Sequence, residues 1–260
     1  MITGVTALLV SGALAGAPGG VGETMDWKVH YLGMHVGNAR VEVADGGGEA
    51  WVIRGRSWSA PWYSRVYSVD DHTTSFWTPG VGSSRYQTVF REGGFHQDQD
   101  MRIAPDGIHV DRRQLFKEEG WRSWEDDYEG PGYPMEDPVT AFYHLRGLAL
   151  PDGGSTTIPL FSGKRVTQVQ ISVEGREPLD TAIGEVDTIR VRISSQRDDE
   201  LKGKGRIWVW ITDDETRLPV KVLWKSNSIG SVHAELTGWT PAPPQAGPPT
   251  DAGDGDAEAR

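Results

Sequence analysis

The sequence predicts a mainly β protein, with a single antiparallel, strongly curved sheet or incomplete β-barrel and one packed helix. Three observations carry this. Ile207, Val209 and Ile211 alternate with Trp208, Trp210 and Thr212; Asp213, Asp214, Glu215 and Thr216 then supply turn chemistry, and Leu218, Val220 and Val222 resume the run. That is a hairpin pattern. Similar short alternating runs, punctuated by Gly, Pro and Asp-Gly turns, recur between residues 25 and 240. One stretch alone, residues 137–149, carries helix signals at both ends. A long meander with one internal helix buries its apolar faces most simply by curving around that helix.

Taken in order, residues 25–43 give two strands around Trp27, Val29, Tyr31, Val36, Val41 and Val43, with Gly33 and Gly37 allowing a tight turn or bulge. After Gly46-Gly47-Gly48 a strand returns over residues 50–59, and Pro61 interrupts it. Two short elements, residues 62–69 and 73–77, flank Asp70-Asp71-His72 and continue the meander. Residues 85–90 and 94–103 form the next pair, and Pro105-Asp106-Gly107 turns the chain into a strand through Ile108, Val110 and Arg112. Residues 114–132 are polar, acidic and aromatic without a clean period, and read as a long surface excursion or lid.

Asp137 caps the predicted helix and Pro138 fits its first turn, with Val139, Phe142, Tyr143, Leu145, Arg146 and Leu148 making a broad apolar surface. Pro151-Asp152-Gly153-Gly154 ends it. Strands at 156–161, 167–174 and 186–194 follow, the last entered through the tight connection at residues 181–184, and residues 202–205 lead into the 207–222 hairpin. Both faces of its first arm are large, so that strand is expected to be covered on both sides. Pro219 lacks an N–H and argues against full pairing of the return arm. A last strand spans residues 231–239, and residues 241–260, rich in Pro, Gly, Asp and Ala, read as a disordered tail. One β-rich domain over residues 25–240 is the expected organisation.

Residues 2–17 are apolar and small, and Ala15-Gly16-Ala17 has the small-x-small form of an export cleavage site. Residues 1–17 therefore read as a signal peptide, with the chain destined for the periplasm or the exterior and no integral span in its mature part. The net charge is −11 with scattered basic residues, which excludes nucleic acid as an expected partner. There is no Cys, so disulfides and thiol catalysis are excluded. The 11 Trp residues suit either a core, an apolar cavity or stacking on sugar rings.

Four features in chain order resemble the DUF3108 family of bacterial proteins. They are Gly33 and Gly37 in the opening pair; Asp137, Pro138, Thr140, Ala141, Tyr143, Leu145 and Arg146 on the helix; Thr181 and Gly184; and Trp208, Asp213, Asp214, Arg217, Pro219 and Val220 in the hairpin. The resemblance covers residues 27–239. It implies an exported β-rich envelope protein and supplies no catalytic residue. The Trp-rich acidic stretch at residues 121–128 and the Pro-rich tail depart from the pattern.

No nucleophile elbow, zinc-hydrolase motif, dinucleotide fingerprint or phosphate loop occurs, so no catalytic residue, metal ligand or cofactor is assigned. His96, Asp98 and Asp100 share a strand face, but their roughly 7 Å spacing prevents them from meeting at one ion. Asp70-Asp71-His72 alternate across a strand. Asp213, Asp214 and Arg217 read as turn architecture, and Arg146 as a tie from the helix to such a carboxylate. Structural roles are thus assigned to Asp137, Pro138, Arg146, Asp213, Asp214 and Arg217. Candidate ligand-binding residues are Trp121, Trp124, Tyr128, Tyr143, Trp208 and Trp210.

The favoured expectation is a non-catalytic envelope protein holding a lipid-like molecule in a concave groove; in shape alone it would resemble lipoprotein carriers. The alternatives are a glycan-binding or glycan-hydrolysing protein using Trp platforms, with Glu118, Glu119, Glu125, Asp126 and Asp127 as carboxylates, and a structural component with an envelope protein partner.

Overall fold

The computed structural model describes residues 18–130, 132–195, 206–226 and 230–244. The expected signal peptide, the 202–205 lead-in and residues 245–260 of the tail lie outside these. All fourteen strands belong to one antiparallel sheet. On one side run β1 (Thr24–Tyr31), β2 (Met34–Asp45), β3 (Trp51–Ser59), β4 (Asp70–Thr78), β5 (Gly82–Glu92), β6 (Phe95–Ile103), β7 (Gly107–Phe116) and β8 (Gly120–Glu129). On the other run β9 (Ser155–Phe161), β10 (Val166–Thr181), β11 (Gly184–Ser195), β12 (Arg206–Thr212), β13 (Pro219–Ser226) and β14 (Gly230–Thr240). Each strand pairs with its sequence neighbour, and β1 pairs with β14 to join the two meanders. The edges are therefore β8 and β9, and among the described residues no ladder closes them into a barrel.

The chain between these edges fills the interior. Glu136 N–H donates to Pro159 O and Phe161 N–H to Glu136 O, while Ser83 N–H donates to Met135 O. Residues 135–136 thus lie along β9 and against the start of β5. Helix α1 (Thr140–Arg146) follows. Tyr143 packs with Trp51, Ile53 and Trp77, and Leu145 with Ile171, Val191 and Val209. Met135 and Phe161 join Tyr86, Met101 and Val110. One short helix thereby links the buried clusters of both meanders, which is how a sheet with two free edges acquires a continuous core.

Several expectations are corrected. Residues 114–132 are no lid: β7 and β8 form a hairpin with Leu115 opposite Trp121 and Arg112 opposite Trp124. The period is present in β8, but Trp124, Asp126 and Tyr128 are its half-buried face, with charge standing where apolar residues usually carry the signal. Such charge suits an edge strand, where it discourages pairing with another chain. Residues 62–69 hold a 3-10 turn at Tyr63–Arg65 rather than a strand. The helix is shorter than residues 137–149, with Gly147 at its C-terminal end. Strand β10 continues past residue 174 through a bulge to Thr181. Pro178 is tolerated there because β9 covers only residues 166–172 of β10, leaving that margin unpaired. Pro219 opens β13 opposite a register shift in β12, so the strand still takes an interior position.

Candidate functional site

Beside α1 lies a groove of about 890 Å³. Its floor and one wall are apolar, formed by Pro138, Ala141, Phe142 and Leu145 of the helix segment with Ile158, Ile171, Ile193 and Ile207 of β9–β12. These are the inward positions of strands buried on that face, and Phe142 is exposed to the groove because α1 spends Tyr143 and Leu145 on the core. The facing wall, from β6–β8, is polar: Gln97, Gln99, Gln114, Arg112 and Trp124. Lys164 and Arg165, in the β9–β10 turn, also line it, as does Phe90 of β5.

Arg112 organises the polar wall. It donates to Gly163 O (2.8 Å) and Gln99 Oε1 (3.3 Å), lies 3.5 Å from Asp126 and stacks on Trp124 with 5.7 Å to the ring centroid. Gln99 Oε1 also accepts from Gln97 (3.1 Å), whereas Gln99 Nε2 is buried without a hydrogen-bond partner. An unpartnered buried donor in a groove wall is a place where a ligand acceptor would offset a desolvation cost.

Two buried polar groups anchor the helix that floors the groove. The Asp137 carboxylate accepts from Ser75 Oγ (3.0 Å), Ser83 Oγ (2.7 Å), Val139 N–H (2.7 Å) and Thr140 N–H (3.0 Å). Burial pushes its carboxyl up, against the hydrogen bonds that favour the charge. At the other end Arg146 makes a bidentate pair with Glu23 (2.7 and 2.9 Å) and donates to Thr216 O (3.1 Å). The expected tie from helix to hairpin exists through a backbone carbonyl, and the carboxylate partner is Glu23 rather than Asp213 or Asp214. Asp213 instead pairs with Arg176 (2.7 Å) and Arg217 (3.4 Å), while Asp214 Oδ1 accepts from Thr212, Thr216 and the Arg217 N–H.

Of the residues singled out from sequence, Trp124 and Pro138 line the groove. Tyr128 stands two residues along the same face of β8, its ring 5.1 Å from that of Phe161. Tyr143 is turned into the core, 2% exposed. Trp121 is on the opposite face of β8, with the Arg91 and Arg113 guanidinium groups over its ring. Trp208 and Trp210 lie on the face of β12 opposite Ile207; Lys225 and Lys221 sit over their rings, and their indole N–H groups donate to Glu174 and Glu177. Sequence reasoning missed Arg112, Gln99 and Lys164. The surplus of apolar residues on the helix was the one available signal, and it marks Phe142.

His96, Asp98 and Asp100 do not converge. Asp98 pairs with Arg91 and Arg113, and Asp100 with Arg85 and Arg102. Asp71 is buried at 8% exposure and accepts from Arg91 N–H. Burial, with the neighbouring Glu92 carboxylate, raises its carboxyl from 3.8 to about 6. Because the folded value lies above the unfolded one, ionised Asp71 costs stability above pH 6, and that cost fades as the pH falls towards 4. Asp71→Asn is therefore expected to raise the urea midpoint at pH 8 and to bring no gain at pH 4. An equal gain at both values would contradict this account.

The fold and groove define an open antiparallel β sheet, not closed into a barrel among the described residues, with a packed helix beside an amphipathic cleft. The chain belongs to the family described as "Protein of unknown function (DUF3108)", which matches residues 26–237. No curated protein matches it. Among solved structures, a beta-barrel-like protein of a domain of unknown function, DUF1849, from Brucella abortus is 13% identical at a TM-score of 0.56, over 87% of this chain and 100% of that one. That likeness shows the fold alone. A candidate exported protein with a YmcC-like fold from Bacteroides fragilis is 11% identical at a TM-score of 0.33, over 86% of this chain and 98% of that one, too distant to argue from. Among the described residues no helix is long and apolar enough to cross a membrane.

Proposed function

We propose that this is a non-catalytic protein of the periplasm or cell exterior that holds an amphipathic, lipid-like molecule with an anionic head in the groove beside α1. The observation that carries the reading is the two-sided lining. An apolar helix and β9–β12 wall faces Arg112, Gln99 and Gln97, with Lys164 and Arg165 nearby. Burying each methylene of an acyl chain gains about 0.8 kcal/mol, so the apolar wall supplies affinity. The basic groups, in a chain of net charge −11, favour an acidic head over a neutral one. The size is within the ordinary range for small-molecule sites. Export is supported by the apolar run at residues 2–17.

Glycan binding retains one supporting observation, the half-buried Trp124 ring in the groove wall. Trp121, Trp208 and Trp210 have cations over their rings, which leaves them poor platforms for a sugar.

The test is native mass spectrometry of the chain purified from its own envelope fraction, followed by titration of delipidated protein with a fluorescent fatty acid. Ala141→Trp, which fills the groove, is expected to weaken binding at least tenfold, a loss of about 1.4 kcal/mol, with Trp121→Ala unchanged. Saturable oligosaccharide binding abolished by Trp124→Ala, with no lipid bound, would replace this reading with the glycan one. Failure of both ligand classes would leave a structural or protein-interaction role.

A further inference from the structure

Three of the seven histidines stand in one row across neighbouring strands, two from the opening hairpin and one from the last strand. His30 on β1 is directly opposite His35 on β2 and His233 on β14. Glu235 lies two residues beyond His233, on the same face of β14. This face carries Asp26 and Lys28, opposite to the core residues Met25 and Trp27, so the row lies on the side of the sheet away from the groove. The His30 and His233 rings are 4.7 Å apart at 14°, and the His35 ring is 5.6 Å from that of His30.

We infer that His30, His233 and Glu235 form a transition-metal site on this face, of a class that takes Zn²⁺ or Cu²⁺. One ligand atom from each lies within 4.8 Å of the others. Around a tetrahedral zinc, ligand atoms stand roughly 3.3 Å apart given metal–ligand bonds near 2.0–2.1 Å, so the two stacked rings must turn towards a common point for an ion to bind. Two imidazoles and a carboxylate suit these ions by ligand chemistry, and three protein ligands leave a fourth position for water or an outside ligand.

A second observation is independent of the spacing. His30 Nδ1 is buried and has no hydrogen-bond partner, a cost that a bound ion would remove. Glu235 Oε1 is 3.7 Å from His233 Nε2 and 3.6 Å from Lys221 Nζ, contacts loose enough to yield to an ion. His35 is held by Asn38 (3.1 Å) and stays outside the ligand set.

The other convergent group, His109 with Asp111 and Glu125, differs in kind. Both nitrogens of His109 already contact carboxylates, Asp127 at 2.7 Å and Asp111 at 3.2 Å. It serves as the control.

The experiment is calorimetric titration of the tag-free full chain with Zn²⁺ alone, with Co²⁺ visible absorption as a second readout of ligand geometry. One equivalent is expected to bind. His30→Gln and His233→Gln should each weaken binding at least about tenfold, as loss of even an outer partner does, while His109→Gln leaves it unchanged. Should either variant fail to fold, Glu235→Gln carries the same expectation. No saturable binding, equal affinity in these variants, or loss confined to His109→Gln would each overturn the assignment. Ala141→Trp should bind Zn²⁺ normally, which keeps this result separate from the fate of the groove.

Discussion

Arg146→Ala is expected to lower the unfolding free energy by roughly 3–5 kcal/mol, the cost of stranding one partner of a buried ion pair. Both side chains are 1% exposed, and the pair is bidentate. The truncation would leave the Glu23 carboxylate buried without its guanidinium, with the Trp239 indole N–H still donating to it at 3.1 Å. It would also free Thr216 O and remove the guanidinium stacked 5.3 Å from the Tyr143 ring. The N-terminal segment would suffer with it. Gly19, at φ +102°, passes so close that a Cβ there would stand 2.8 Å from Glu23 Oε2 and 2.9 Å from Arg146 Nη1. For a domain of this size the loss corresponds to roughly 6–20 °C in Tm. Urea unfolding followed by Trp fluorescence measures it. The double variant Glu23→Gln with Arg146→Met should recover most of the loss, because replacing both charges leaves none buried alone. A single-variant loss below about 1 kcal/mol, the value of an exposed pair, would show that water reaches the pair in solution.

Asp137→Ala should cost on the order of 3 kcal/mol, combining a lost helix cap with buried hydroxyl and N–H groups left unpaired. Its carboxylate takes four hydrogen bonds, from Ser75 on β4, Ser83 on β5 and the first two N–H groups of the α1 entry. Thr140 returns the contact by accepting from Asp137 N–H at 2.9 Å. Asp137→Asn keeps one oxygen to accept from Val139 and Thr140, and is expected to cost less than half as much as Ala. Because this anchor sets where α1 enters the groove floor, Asp137→Ala should also weaken fatty-acid binding under conditions where it is still folded. Equal losses for Ala and Asn would mean that the hydroxyl contacts, not the helix N-terminus, hold the element.

Local chemistry made part of this molecule legible. Alternation with Gly and Pro punctuation marked the strands, and two-residue turns such as Ala182-Ile183 set their registers. Asp137-Pro138 marked the helix entry, since a cap and a first-turn proline act within four residues. Where apolar periodicity was replaced by charge and aromatics, as in β8, the period remained but its meaning depended on the strand being an edge. Helix length likewise escaped the pattern, because Leu148 and Leu150 are apolar for packing in a turn and not for a helical face.

The fold class, the helix entry and the hairpin chemistry were thus readable along the chain, because all of them follow from contacts between near neighbours. Tertiary structure alone decided that β1 closes on β14, that Arg146 meets Glu23 across 123 residues, and that His30 stands beside His233. It also decided which aromatic faces the groove: Trp124 points in, while Trp208, Trp210 and Trp121 stand under cations elsewhere. The reason is physical. A strand's side chains alternate by local geometry, but which of its two faces meets the helix is set by the curvature of the whole sheet.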